Sequence, residues 1–487
     1  MTVTITGRTL TLDELVRVAR DGEEVRLDTA AREEMGRTRA VVEDVLASGT
    51  PAYGVTTAVG VLKRVPLEGP DADAYAQRMI RHHRMAQGPL APADVVRATL
   101  LLQLNAFASG LPGVRPLVAE RLIEILALPE PPPVRVLGSV GQADLAPLAD
   151  LAGAVFADVE LAAGEGLAVI TGNPFATAWA ALALADLERL LDALDVAGAL
   201  SLEGLGANLS VLHPAVEAAR PHPGLAASLA ILRRLLVGSA IWAPDASRNL
   251  QDPLTFRNVA HLHGAARDAL AHARGVLDVE LNASQGNPMV LAAEGRVVSV
   301  ANFEISGLAA ALDYQRIVLA TVLATSAERV VKLLETTWSG LPTGLAASDD
   351  PSDAGLEYLG IAVQALAAEA RLLAAPVSFE LVSTAHAEGI EDRTTMAPLA
   401  ARRTAEMVAL GQRIVAVELT VAAQAAELRS VERLGTGTAA AHRAVRRVIP
   451  FVGPGDVVPD VQPLVDVVAR GEFEPGRLFE GRDPAQG

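Results

Sequence analysis

Cysteine is absent from this 487-residue chain. That excludes disulfides, thiolate metal sites and cysteine nucleophiles, and it fits a reducing compartment, so a cytoplasmic protein is expected. Lysine is almost absent: Lys63 and Lys332 are the only two. There is no GK[ST] element and hence no P-loop, and few side chains could form a Schiff base. Aromatic residues make up only 3%, so alanine, leucine and valine must fill the core. Positive charge is outweighed, with a net charge of -17. No basic stripe is visible, which argues against nucleic acid as a partner. The first fifteen residues lack the basic start and apolar run of a secretory signal. The longest uncharged run, Gly166 to Ala185, is broken by Gly172-Asn173-Pro174. It reads as two buried segments and not as a membrane span.

What is present is helical pattern. The chain is 51% hydrophobic and 20% charged, ample for a large core. Residues 1–10 read as a short strand, and Thr11 with Glu14 forms a capping-box pattern that opens a helix. Helices are expected near 28–48, 70–87, 92–109 and 113–128. A proline-rich connector, Leu128 to Pro133, delivers the chain into the Gly138 loop. Further helices are expected near 145–164, 174–202, 223–236 and 252–275. A hairpin is expected at 289–300, with Glu294-Gly295 at its turn. Long helices follow near 303–336, 355–374 and 396–430. The fold class is all-α, with a long central bundle, a small β element near the N-terminus and that hairpin. Three blocks are expected: 1–200 with both glycine-rich loops, 201–435 with the long helices, and a C-terminal helical segment 436–487. Small side chains and long Ala/Leu-rich helices point to an oligomer.

Two loops carry chemistry. Tyr53-Gly54-Val55-Thr56-Thr57-Ala58-Val59-Gly60 is a glycine-bounded loop with one of only four tyrosines. Tyr53 is either a loop residue capping the core or a general base on a closing loop. The second loop is Gly138-Ser139-Val140-Gly141-Gln142-Ala143-Asp144, followed by Leu145-Ala146-Pro147-Leu148-Ala149. Asp144 reads as the N-cap of the helix it precedes.

Together these stretches resemble the histidine, phenylalanine and tyrosine ammonia-lyase and aminomutase family. The Tyr53 loop is similar to that family's YGxxTGFG. Asn105 through Gly110-Leu111-Pro112-Gly113-Val114-Arg115 resembles its N…GxSGxR, and the second loop its GSVGASGDLAPLA. Glu165-Gly166-Leu167-Ala168 resembles EGLAL, and Gln251-Asp252-Pro253 with Arg257 resembles QDxYSxR. Glu280, Asn282, Asn287 and Pro288 resemble ExNxxxDNP. Asn302-Phe303, Ser339 to Pro342, and Glu391-Asp392 with Met396 match as well. The resemblance implies an all-helical homotetramer on a central bundle, with active sites shared between subunits. It also implies a methylidene-imidazolone, cyclised from Ala-Ser-Gly in the second loop, that captures the substrate amine or ring.

Here the resemblance breaks. Gln142-Ala143 stands where the family has Ala-Ser-Gly, one residue shorter. Neither the serine that dehydrates nor the glycine whose nitrogen attacks is present, so the methylidene-imidazolone is expected to be absent. No other cofactor and no metal is expected. The family's second catalytic tyrosine falls on Leu254, the asparagine of its NGT segment on Thr171, and its Pro-Gln after the arginine on Ala260-His261. Glu304, Ile390 and Arg393 also replace family residues.

What remains is a set of acid, base and guanidinium groups. Tyr53, Glu391, His261 and His83 are the candidate catalytic residues. Arg257, Asn173, Gln251, Glu304, His82 and Gln142 are candidate substrate contacts. Through the resemblance, Arg257 binds a carboxylate, a task that suits a guanidinium fork, and His83 meets the substrate side chain. His261 stands four residues after Arg257, on the same face of a continuous helix. The structural alternatives are an Arg257 paired with Glu391 or Asp252, and interior histidines satisfied by backbone carbonyls. His261 and His263 face different ways and do not make a helical metal pair.

The function read from this is elimination, addition or ring closure on a pre-activated carboxylate- or carbonyl-bearing small molecule. Delivery of that substrate by a carrier protein is compatible with the sequence. The alternatives are a non-catalytic scaffold or binding protein, and a true ammonia-lyase using another electrophile. The aspartase and fumarase superfamily is disfavoured, because its GSSxMPxKxN loop is missing.

Overall fold

Local capping sets where the first helices begin. Thr11 Oγ1 accepts the Glu14 N–H and Glu14 Oε2 accepts the Thr11 N–H at 2.9 Å, closing the expected capping box on helix Leu12–Val16. Asp28 accepts from the N–H groups of Ala30 and Ala31 and starts Thr29–Ser48. Such a cap contributes about 1 kcal/mol. The computed structural model describes residues 2–67, 70–350, 352–379 and 386–479. Among them helices dominate, and three two-stranded sheets complete the secondary structure.

The strand Thr2–Ile5 pairs in parallel with Glu24–Leu27. That partner, EVRL, is half charged and gives little hydrophobic signal. The hairpin Met289–Leu291 with Arg296–Val298 forms where expected. Three helix expectations need correction. The helix starting at Pro70 stops at His83, and Gln87–Leu90 instead pairs antiparallel with Arg135–Leu137; Gly88 at φ +81 and Pro89 cannot continue a helix. The helix from Leu145 ends at Val155, well short of residue 164. The stretch 252–275 is two helices, Leu254–Arg257 and Val259–Glu280, because Asn258 departs from helical geometry. Arg257 and His261 therefore do not share one continuous helix.

Compactness divides the chain differently from the three sequence blocks. One unit comprises 1–185, 273–312 and 376–403; the other comprises 186–272, 313–375 and 404–487. The reason lies in helix length: Pro174–Leu205, Val259–Glu280, Ser306–Leu334 and Ala397–Leu428 each supply residues to both.

In the first unit Met35, Leu100, Leu101, Val118 and Leu122 are fully buried, each contributing roughly 1.5–3 kcal/mol. Several residues of the resembling motifs serve this packing. Asn105 accepts from the Gly7 N–H, and Asn282 exchanges hydrogen bonds with both the N–H and carbonyl of Leu10, so these two asparagines fix the N-terminal segment. Arg115 grips the buried Glu165 with two parallel bonds of 2.9 and 2.7 Å.

In the second unit the scarcity of aromatic residues is met by close helix approach. Gly224 and Gly264 lie where helices Pro223–Leu235 and Val259–Glu280 touch. A Cβ on Gly264 would sit 2.5 Å from the Leu225 nitrogen. The interior also holds a fully buried ion pair, Arg329 with Glu418, at 2.6 and 2.9 Å. Ser201 and Ser326 fill the remaining capacity of that carboxylate. Breaking such a pair by removing one partner costs several kcal/mol.

Candidate active site

The Gly138 loop is held by three other segments, all within the first unit. At its start, Gly138 packs against Met85 and Ala86, just past the His83 helix end. In its middle, the Val140 carbonyl accepts the N–H groups of Thr395 and Met396. The Gly141 carbonyl accepts from Asn173 Nδ2 at 3.0 Å and from Thr395 Oγ1 at 2.9 Å. At its end, the Asp144 N–H donates to the Gly172 carbonyl at 2.7 Å. Gly141 takes φ +85 and Ala143 takes φ +56, a left-handed conformation that alanine adopts only under constraint.

Asp144 begins the Leu145–Val155 helix, but its side chain does not cap it. This corrects the N-cap expectation. The carboxylate is fully buried and reaches the start of the next long helix, accepting the Ala176 N–H at 2.8 Å and the Ser139 hydroxyl at 2.9 Å. Burial pushes its pKa up to about 6, against the pull of these donors and the Phe175 N–H.

Around this loop stand several of the expected residues. Gln142 donates to Glu304 at 2.9 Å. Burial opposes the Glu304 charge, but Gln142, Ser306 and the Arg393 charge outweigh it and hold that carboxyl below its ordinary value. Asn173 is fully buried, and its Oδ1 has no hydrogen-bond partner. Gln285 accepts its N–H and donates to Glu280 at 2.7 Å, forming the polar wall of a small cavity of ≈ 40 Å³ with Thr171 and Gly172. Burial raises the Glu280 pKa.

Tyr53 is half-buried, and its hydroxyl accepts the Gly60 N–H at 3.1 Å across its own loop. Tyr75 does the same for Val59. Burial raises the Tyr53 pKa, the Gly60 bond opposes this, and the charges of Glu391 and Tyr75 raise it further. Glu391 is thus close enough for its charge to act on Tyr53. Lys63, on the Tyr53 loop, also pairs with Glu388 at 2.9 Å, joining that loop to the segment carrying Glu391.

His83 is half-buried with Nδ1 against the Met79 carbonyl at 2.8 Å, the satisfied helical arrangement anticipated as its structural alternative. His82 is exposed beside it at the helix end. Gln251, Arg257 and His261 belong to the second unit. Gln251 accepts from Arg257 Nη1, while Arg257 Nε is buried without a partner. Asp252 binds the Asn208 N–H at 2.7 Å, not Arg257. Burial, assisted by the Arg220 charge, lowers the His261 pKa. His263 is fully buried, with Nδ1 on Asp195 at 2.8 Å.

Sequence reasoning passed over Asp144 as a titrating group, and Thr395 and Gln285 entirely. The signal for Asp144 was its place directly after a glycine-rich turn. Its partner Ala176 lies 32 residues further on, and only folding brings the two together.

Comparison with known proteins gives a consistent result. The family model for aromatic amino acid lyase matches residues 10–160 and 154–447. Histidine ammonia-lyase of Symbiobacterium thermophilum is 35% identical over 492 residues, covering 96% of each chain. Histidine ammonia-lyase of Treponema denticola is 30% identical, covering 96% of this chain and 97% of that one. Among solved structures, ergothionase of Treponema denticola, in complex with desmethyl-ergothioneine sulfonic acid, superposes with TM-score 0.90. It has 26% identity and covers 99% of this chain and 100% of that one. Tyrosine aminomutase of Streptomyces globisporus gives TM-score 0.90 and 27% identity, covering 98% of each.

Proposed function

The chain belongs to the aromatic amino acid lyase family, and on that premise we propose that it is a lyase-type enzyme working without a methylidene-imidazolone. Its substrate arrives already activated, as a ketone, thioester or imine beside a carboxylate or carbonyl. The observation that carries this reading is the Gly138 loop. The family's electrophile needs a serine and a glycine after its alanine, and Gln142-Ala143-Asp144 offers neither. The Asp144 nitrogen, the nearest candidate for ring closure, is bound to the Gly172 carbonyl. The residues present do not fit that group.

A β-proton of a free amino acid is too weakly acidic for a phenol alone, whereas a proton α to a carbonyl is within reach of ordinary side chains. Burial and Glu391 hold Tyr53 in its neutral form at pH 7. Tyr53 is therefore equipped first to deliver a proton or hydrogen bond to a developing enolate oxygen, the direction of addition or ring closure. Arg257, oriented by Gln251, holds the carboxylate. His261 rests neutral, so it takes a proton before it gives one. His83, with His82 next to it, meets the ring or leaving group, and Asn173, Gln142 and Glu304 bound the substrate. A homotetramer with sites shared between subunits and a cytoplasmic location belong to the same proposal. Among the described residues no helix is long and apolar enough to cross a membrane.

Intact mass of the denatured protein tests the loop. The sequence mass is expected; a deficit of two waters at Gln142–Ala143 would overturn the reading. Turnover is then measured on β-hydroxy and α,β-unsaturated thioesters and ketones, alongside histidine, phenylalanine and tyrosine. Activity confined to the activated compounds, lost in Tyr53→Phe by about a hundredfold or more with unchanged oligomeric mass, is the expected outcome. Ammonia release from a free amino acid would favour a second reading, a true ammonia-lyase, which the names of the relatives support. Inactivity on every compound would favour a scaffold.

A further inference from the structure

The Gly138 loop retains an acid–base pair that the roles above leave without a task. Asp144 is fully buried. Among the described residues no cation pairs with it; the groups acting on it are the Ser139 hydroxyl and the N–H groups of Phe175 and Ala176. Ser139 is only half-buried, and its hydroxyl reaches that interior carboxyl. Its oxygen also accepts the Gly141 N–H at 3.1 Å.

A hydroxyl has one proton and two acceptor sites. With Asp144 ionised, the Ser139 proton points inward to the carboxylate. With Asp144 protonated, the carboxyl donates to the Ser139 oxygen, and the hydroxyl proton is free to turn outward. A rotation about one bond separates the two patterns.

We propose that Ser139 is the proton-relaying residue of this site, passing a proton between the interior carboxyl of Asp144 and the reacting group of the substrate. The inference rests on the acid–base reading above and adds a second proton route beside Tyr53. In the forward step Ser139 gives its O–H proton to the leaving oxygen, and its own oxygen takes the proton from Asp144. The O–H bond to the substrate forms, the Asp144 O–H bond breaks, and the hydroxyl is regenerated. Asp144 is left as carboxylate and recovers a proton from water through the same hydroxyl. The Asp144 pKa, raised by burial to about 6, puts both states within reach near neutral pH.

Infrared difference titration of the full-length protein tests the pair without any substrate. The parent is expected to show a protonated-carboxyl band that titrates near pH 6 and is missing in Asp144→Asn. Ser139→Ala should move that midpoint up by about one pH unit, since the carboxylate loses a hydrogen-bond donor. Ser139→Thr, which keeps the hydroxyl, should restore it. A band unaffected by Ser139→Ala, or a carboxyl titrating at the ordinary aspartate value, would overturn the relay. The turnover assay separates this from the parent reading. Activity lost in Tyr53→Phe but unchanged in Ser139→Ala sinks the relay and leaves the acid–base reading standing. A parent inactive on every activated compound sinks that reading, whatever the infrared titration shows.

Discussion

Asp144 is a carboxyl whose burial has a thermodynamic signature as well as a chemical one. Its folded-state pKa of about 6 lies above the unfolded value near 3.8, so the folded protein holds the proton more tightly. The stability this contributes is full below the unfolded value and is lost as pH rises through about 6. Two units correspond to roughly 3 kcal/mol. Denaturant midpoints measured from pH 4 to 8 should therefore fall for the parent relative to Asp144→Asn by about that energy, with the change centred between those two values. Parallel curves would mean that the carboxyl is better solvated than its position suggests. At this scale the sequence showed which residues carry chemistry more readily than what they touch. Tyr53 and Glu391 were legible, and the effect of the Glu391 charge on Tyr53 bears on the role proposed for the tyrosine. Arg257 was legible too, but its partner is Gln251 and not the aspartate beside it.

Helix contacts translate the composition into geometry. With 3% aromatics, the second unit gains contact area by bringing backbones together, and Gly264 against Gly224 and Leu225 is the tightest expression of this. A methyl group at Gly264 meets backbone atoms at 2.5 and 2.6 Å, which no rotamer change relieves. Gly264→Ala should destabilise the protein by about 1–3 kcal/mol, read as a lower urea midpoint. Gly275→Ala is the control: on the same helix it meets nothing within 4 Å, and it should be neutral or slightly stabilising. Helix existence was legible because apolar spacing repeats over many turns. Helix ends were not, where Gly88-Pro89 and Asn258 act locally. The strand Glu24–Leu27 escaped because only its pairing with Thr2–Ile5, and not its composition, makes it a strand.

For the whole molecule, surface apolarity bears on the assembly proposed above. Tyr358, Ile361 and Leu372 on helix Glu357–Leu373 are 62%, 71% and 70% exposed, and Tyr314 and Ile317 are exposed in the same unit. Patches of this kind are rarely left to water. Light scattering on the purified protein should give the mass of four chains, and Ile361→Glu with Leu372→Glu should reduce it. A monodisperse single-chain mass for the parent would remove the shared-site part of the proposal. The fold was legible here through motif order along nearly the entire chain, a pattern spread over many segments and dependent on no single residue.

The clamping of the Gly138 loop limits what substitution there could restore. Its two neighbouring carbonyls and its exit amide are committed to partners on other segments, and between them Ala143 is left-handed. Writing Ala-Ser-Gly in place of Gln142-Ala143 adds a residue to a span anchored on both sides, so the newcomer must bulge or displace those anchors. On the proposed reading, regaining that group would take an insertion together with new anchors, and not a point mutation.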